Sequence, residues 1–121
     1  MTPHELGKRL QDIVAQYFKD LGIYKFARST NGSGNKGEHG DVQQPYFIIE
    51  CKFKSTDSIT INRDVWRKLN AEVPIGSKRL PMYVLENKHE ERFAVLKLED
   101  FMDIFAKSLK EGIDGKGSER K

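Results

Sequence analysis

Asp41-Val-Gln-Gln-Pro-Tyr-Phe-Ile-Ile-Glu-Cys-Lys-Phe53 is the stretch on which the reading of the chain turns. From Tyr46 onward it is rich in aromatic and β-branched residues and follows a proline, the pattern of a strand. Side chains alternate along a strand, so Phe47, Ile49, Cys51 and Phe53 share one face, expected to be core, and Ile48, Glu50 and Lys52 share the other. Pro45 lacks an N–H and favours a turn, so residues 41–44 are expected to hairpin back onto residues 47–50. That register pairs Gln44 with Phe47, Gln43 with Ile48, Val42 with Ile49 and Asp41 with Glu50. Like charges directly opposite one another destabilise a sheet, so a sequence that builds this pair is expected to hold a cation there. Two carboxylates and a few waters are the usual protein share of a Mg²⁺ site.

A Glu-x-Lys tripeptide alone carries no information. With ten Glu and fourteen Lys in 121 residues, roughly one copy arises by chance, and the chain also contains Glu86/Lys88 and Glu119/Lys121. What distinguishes Glu50 is its strand and its upstream carboxylate. The position equivalent to Asp41 for Glu86 is Ser77, and Glu119 lies in a polar tail. The bland reading of Glu50 and Lys52 is an exposed, charged strand face.

A chain of 121 residues suits one domain with one site. Hydrophobic residues make up 37% and charged residues 32%, a globular composition with no apolar run of membrane-spanning length. No signal peptide is evident, and the single cysteine, Cys51, reads as a small core residue, so an intracellular, cytoplasmic protein without a membrane partner is expected. The net charge is +3. Between Cys51 and Leu80 there are seven cations against three acids, an excess beside the proposed site that suits a polyanion.

Thr2-Pro3-His4-Glu5 predicts a helix start, with Thr2 as N-cap and Glu5 completing a capping box. Leu6, Leu10, Ile13, Val14, Tyr17, Phe18 and Leu21 form a buried stripe with Gln11 on its shoulder and Gly7 on the buried side, where it permits close approach. Gly22 ends the helix, and 23–30 reads as the first strand. Residues 31–40, with four glycines, form a connector; Lys36 and His39 add charge to a loop that could meet phosphates or simply be flexible. Asn62 caps a helix over 63–73 stopped by Pro74, with Val65, Trp66, Leu69 and Val73 inward and Arg63, Arg67 and Lys68 outward. Strands over 80–86 and 92–98 are joined by a polar hairpin loop, and a last helix over 99–110 carries Phe101, Met102, Phe105 and Leu109 at core spacing. A folded domain over 1–111 and a disordered tail over 112–121 are expected. The order of elements predicts an α/β fold, a mixed central sheet flanked by helices.

With these residues in place the chain resembles the PD-(D/E)XK nuclease superfamily, and within it the small Holliday junction resolvases of archaea and their phage-encoded relatives. The signature is Asp41 followed after eight residues by Glu50-Cys51-Lys52. Gly7-Lys-Arg-Leu-Gln11 looks like the first-helix motif, Arg28-Ser-Thr-Asn31 the post-strand loop, Trp66 a residue of the following helix, and Val95-Leu-Lys-Leu-Glu-Asp-Phe101 the closing strand and helix. The resemblance covers residues 5–106 and departs at Gln11, where many members have Glu; an amide can orient water but cannot act as an anionic ligand or base. It implies a restriction-endonuclease-like fold and a Mg²⁺-dependent DNA endonuclease, with Mn²⁺ as a substitute. Asp41, Glu50 and the carbonyl of Cys51 would hold the metal. Lys52 would orient the attacking water and stabilise developing charge, with Gln11 assisting. Thr30, Lys36, Lys54, Arg63 and Arg67 are the expected DNA contacts. The implied substrate is a four-way junction cut by a homodimer, and the likeness to the phage group implies a phage-encoded protein acting in the host cell. The alternatives are a nicking, flap- or duplex-cutting nuclease of the same superfamily, or a DNA-binding module without chemistry.

Overall fold

The computed structural model describes residues 2–22, 28–29, 42–43 and 45–116. In chain order the elements are α1 (Pro3–Asp20), β1 (Arg28–Ser29), β2 (Val42–Gln43), β3 (Phe47–Phe53), α2 (Arg63–Ala71), β4 (Leu80–Glu86), β5 (Arg92–Val95) and α3 (Leu98–Lys116). The strands form one mixed sheet in the order β1-β2-β3-β4-β5. Only the β3–β4 pair is parallel; the others are antiparallel.

The expected hairpin is present in its expected register, Val42 opposite Ile49 and Gln43 opposite Ile48. The parallel pair aligns Phe47 with Leu80 through to Phe53 with Glu86. It is extended at both ends, where the Leu80 N–H donates to the Tyr46 carbonyl at 2.9 Å and the Lys54 N–H to the Glu86 carbonyl at 2.8 Å. A parallel pair needs a crossover connection, and α2 lies within it.

The expectation of a single core face on β3 is corrected. Ile49, Cys51, Val42, Met82 and Val84 pack with Leu10, Val14 and Ala15 of α1. On the opposite face Ile48, Tyr83 and Leu85 pack with Leu69 of α2, joined by Ile59, Val65, Trp66 and Val73. Parallel strands bury both faces beneath helices, which a reading of β3 as half-exposed misses. Glu50 and Lys52 therefore sit on a helix-covered face.

Both predicted caps form. The Thr2 N–H donates to Glu5 Oε1 at 2.7 Å while the Glu5 N–H donates to Thr2 Oγ1 at 3.1 Å. These bonds hold the exposed Glu5 carboxyl below its usual range, mainly through the Thr2 backbone donor. Asn62 Oδ1 accepts from the Asp64 and Val65 N–H groups. Glu5 thus has the capping role.

Several boundaries differ from expectation. Arg28 and Ser29 form a strand, as the reading of 23–30 expects and not the loop that the resemblance implies; the rest of 23–30 lies outside the described residues. The closing strand stops at Val95, and α3 starts at Leu98 and runs through Lys116, beyond the expected end of the folded region at 111. The stripe of α3 is not core: Phe101, Met102, Phe105 and Leu109 are 47–52% exposed.

Glu86, at the end of β4, is fully buried. Its Oε1 accepts from Arg9 Nη2 of α1 at 3.2 Å and its Oε2 from Arg92 Nε of β5 at 2.9 Å. A buried charge is tolerated only when paired in this way. The neighbouring Asn87 is also buried. Its Nδ2 donates to the Asp57 carbonyl at 3.0 Å and to Glu91 Oε1 at 2.7 Å, and its Oδ1 accepts from the His89 and Glu91 N–H groups.

Gly7 has nothing within 4 Å of where a Cβ would sit. Among the described residues the close approach expected there does not occur. Gly7→Ala is accordingly expected to raise stability by about 0.5–1 kcal/mol through helix propensity and a less flexible unfolded chain, read as a higher urea midpoint. Arg9→Met combined with Arg92→Met strands the Glu86 carboxylate and is expected to cost about 3–5 kcal/mol; urea unfolding of the double variant measures it.

Candidate functional site

The alternation of β3 places Glu50 and Lys52 on the same side as Ile48, the side that α2 covers. Lys52 Nζ lies 3.7 Å from a Glu50 carboxylate oxygen. The Glu50 side chain is 19% exposed and that of Lys52 46%. The carboxylate is thus tucked against the body while the ammonium reaches solvent, an arrangement suited to an anionic group approaching from outside.

Tyr83 lies beside Glu50 in the parallel register and is almost wholly buried. Desolvation is the main cause that pushes its hydroxyl above the ordinary value, and the Glu50 charge adds to it. Reading the sequence for site residues misses Tyr83. Its place depends on the alignment of two strands about thirty residues apart, and a buried tyrosine in an apolar run looks like any other core residue.

Arg63 and Arg67 are exposed on α2, which packs on the Glu50 side of the sheet. Arg67 Nη1 approaches Asp64 at 3.8 Å in an open surface pair, the kind that contributes little. Lys54 is exposed one residue beyond β3. Gln11 is on the other side of the molecule in this respect, because α1 packs against the Ile49/Cys51 face. Its Oε1 is buried and has no hydrogen-bond partner among the described residues. The Cys51 thiol is buried in the α1-side cluster, so only the backbone of this residue could serve an oxygen-ligand site. Asp41, Thr30 and Lys36 lie outside the described residues.

The donors fit Mg²⁺ in kind, since carboxylate and carbonyl oxygens are its preferred ligands. Among the described residues no three acidic, His or Cys side chains are grouped to hold a metal, and Asp41 lies outside those residues. No described helix is long and apolar enough to cross a membrane. No protein family model, curated protein or solved structure matches the chain.

A raised Tyr83 pKa has a stability consequence of definite sign. The folded state holds the proton above pH 10.0, the ordinary value, where the unfolded chain releases it, so stability is fully present below that pH and falls above it. Thermal unfolding of the wild type and Tyr83→Phe between pH 8 and 11 is expected to show a steeper alkaline loss in the wild type.

Proposed function

We propose that this protein is a Mg²⁺-dependent DNA endonuclease with a restriction-endonuclease-like fold, acting on four-way junctions as a homodimer. The observation that carries the reading is the pairing of Glu50 with Lys52 on one face of β3, under a helix with outward cations. Two further facts support it. The β2–β3 register is the one from which Asp41 is expected opposite Glu50, and the sheet is mixed with helices on both faces. The family resemblance of residues 5–106 supplies the substrate class.

In this reading Asp41, Glu50 and the Cys51 carbonyl hold Mg²⁺, which when bound neutralises phosphate charge and lowers the pKa of water. The Lys52 ammonium orients the attacking water and stabilises charge developing on the scissile phosphate. Glu50, 3.7 Å away, helps aim the Lys52 ammonium. Lys54, Arg63 and Arg67, with Lys36 and Thr30, contact the phosphodiester backbone and supply affinity without choosing sequence. Gln11 has at most an indirect part from α1. Two subunits related by a two-fold axis supply the two incisions that junction resolution requires. A cytoplasmic setting, in the host cell for a phage-encoded protein, follows from this activity.

A second reading is a DNA-binding module without chemistry. The packing of Gln11's helix on the face opposite Glu50 favours it, because the amide is then no substitute for a missing acidic ligand. Cleavage separates the two. Asp41→Asn, Glu50→Gln and Lys52→Ala are each expected to lower the rate on labelled four-way junctions by at least about a hundredfold, as loss of a charge-stabilising group does, with junction affinity little changed in gel shifts. Mg²⁺ or Mn²⁺ should support cutting and Ca²⁺ binding alone. Undiminished activity in excess chelator rejects the metal mechanism, and no activity with any divalent ion on junction, flap, nicked or duplex DNA leaves the binding module.

A further inference from the structure

The two ends of the β3–β4 pair differ in charge. Beyond the carboxyl end, Lys88, His89 and Arg92 are committed to acids: Asp57 lies 3.4 Å from Lys88 and 2.6 Å from His89, and Glu86 lies 2.9 Å from Arg92. The amino end has no such acids. From Val42 to Ile49 and from Val73 to Leu85 the chain contains no acidic residue, and Lys78 and Arg79, just before β4, make no ion pair among the described residues. Tyr46 shares this end and is 58% exposed. Its carbonyl accepts from the Leu80 N–H at 2.9 Å, and Pro45 restricts the backbone before it, so the ring projects from a backbone held in place. The parallel register, carried back one residue from Phe47 and Leu80, sets Tyr46 beside Arg79.

We propose that the amino-terminal end of the β3–β4 pair is a platform for unpaired DNA bases, on which the Tyr46 ring stacks a base while Lys78 and Arg79 hold the phosphates beside it. An aromatic face next to uncommitted cations is the combination that binds single strands, since every base has a π-face and every nucleotide a phosphate. A tyrosine has only two side-chain torsions to fix, so ordering the ring costs little. Continuing the alternation of β3 back by one residue places Tyr46 on the Ile48 and Glu50 side of the sheet. Four residues of strand separate it from Glu50, roughly 13 Å, the length of about four nucleotides at the rise of one DNA strand. A strand with its phosphate at Lys52 therefore brings bases a few nucleotides away over the ring. Bases within a duplex are already stacked and offer no free face, so the platform selects DNA with unpaired positions near the scissile bond. The assignment rests on the reading of the protein as a DNA endonuclease and adds to it the feature of the substrate that is recognised beside the cut.

Fluorescence anisotropy of labelled DNA titrated with the full chain in Ca²⁺ tests it, using a linear duplex and the same duplex with a short unpaired gap. The wild type should bind the gapped DNA about tenfold more tightly, and Tyr46→Ala should remove that preference, a loss of the size one stacked base gives, with duplex affinity unchanged. Tyr46→Phe should keep the preference. Tyr46→Leu, which keeps the bulk without the π-face, should lose it and decides the matter if Tyr46→Ala does not fold. Lys78→Ala with Arg79→Ala should lower the salt dependence on gapped DNA by about 1.4 in slope, as loss of two single-strand phosphate contacts does. A fluorophore on Ile75→Cys, at the open tip of the neighbouring turn, should change its emission when gapped DNA binds. Equal wild-type affinity for the two DNAs, a preference that survives Tyr46→Ala or Tyr46→Leu, or a silent fluorophore each overturns the platform and leaves the nuclease reading standing. A wild type that binds neither DNA overturns both.

Discussion

The parallel alignment of β3 with β4 is the constraint on which the remainder depends. It joins strands that are distant in sequence, buries both their faces and thereby demands a helix on each side. From that pairing follow the two clusters, one under α1 and one under α2, and the position of Glu50 and Lys52 on the α2 side. It also explains why a tyrosine from β4 forms the apolar wall next to the Glu50 carboxylate. A carboxylate held at such a wall has fewer waters to compete with a ligand, which strengthens any charge interaction made there.

Glu86 shows how much the context of a motif decides. The sequences Glu50-Cys-Lys52 and Glu86-Asn-Lys88 have the same form, and both glutamates end in the same parallel ladder. Glu50 keeps a solvent-reaching ammonium as neighbour. Glu86 is closed off between two guanidinium groups and ties α1 to the outer strand. Each of its carboxylate oxygens accepts from a guanidinium donor, so it works as a structural joint.

Much of this organisation is legible in the sequence where local chemistry dictates it. Thr2 and Glu5, and Asn62 before Arg63, announce their caps because the unpaired N–H groups of a first turn need those acceptors. Pro45 and the apolar alternation around it specify the β2–β3 register, since a slip of one residue would turn every side chain to the wrong face. What was not legible is tertiary. That α2 would cover the Glu50 face, that Tyr83 would stand beside Glu50, and that α1 with Gln11 would lie on the opposite face all follow from how separate strands align. The stripe on α3 was read as core because periodicity reports a face that must be covered and says nothing of what covers it.

Asn87 carries a consequence for handling the molecule. One buried amide satisfies four polar groups across the β4–β5 loop and the segment after β3, so that loop, although on the surface, is held at one length and is a poor place to lengthen the chain. The turn at Pro74–Ser77 is different. It is closed by one bond from the Ser77 N–H to the Pro74 carbonyl at 2.9 Å, Gly76 takes the left-handed conformation at φ 84°, and Ile75 at its tip is entirely open to solvent. A tag, fluorophore or inserted peptide belongs there, where the backbone has little to lose and both core clusters are left as they are.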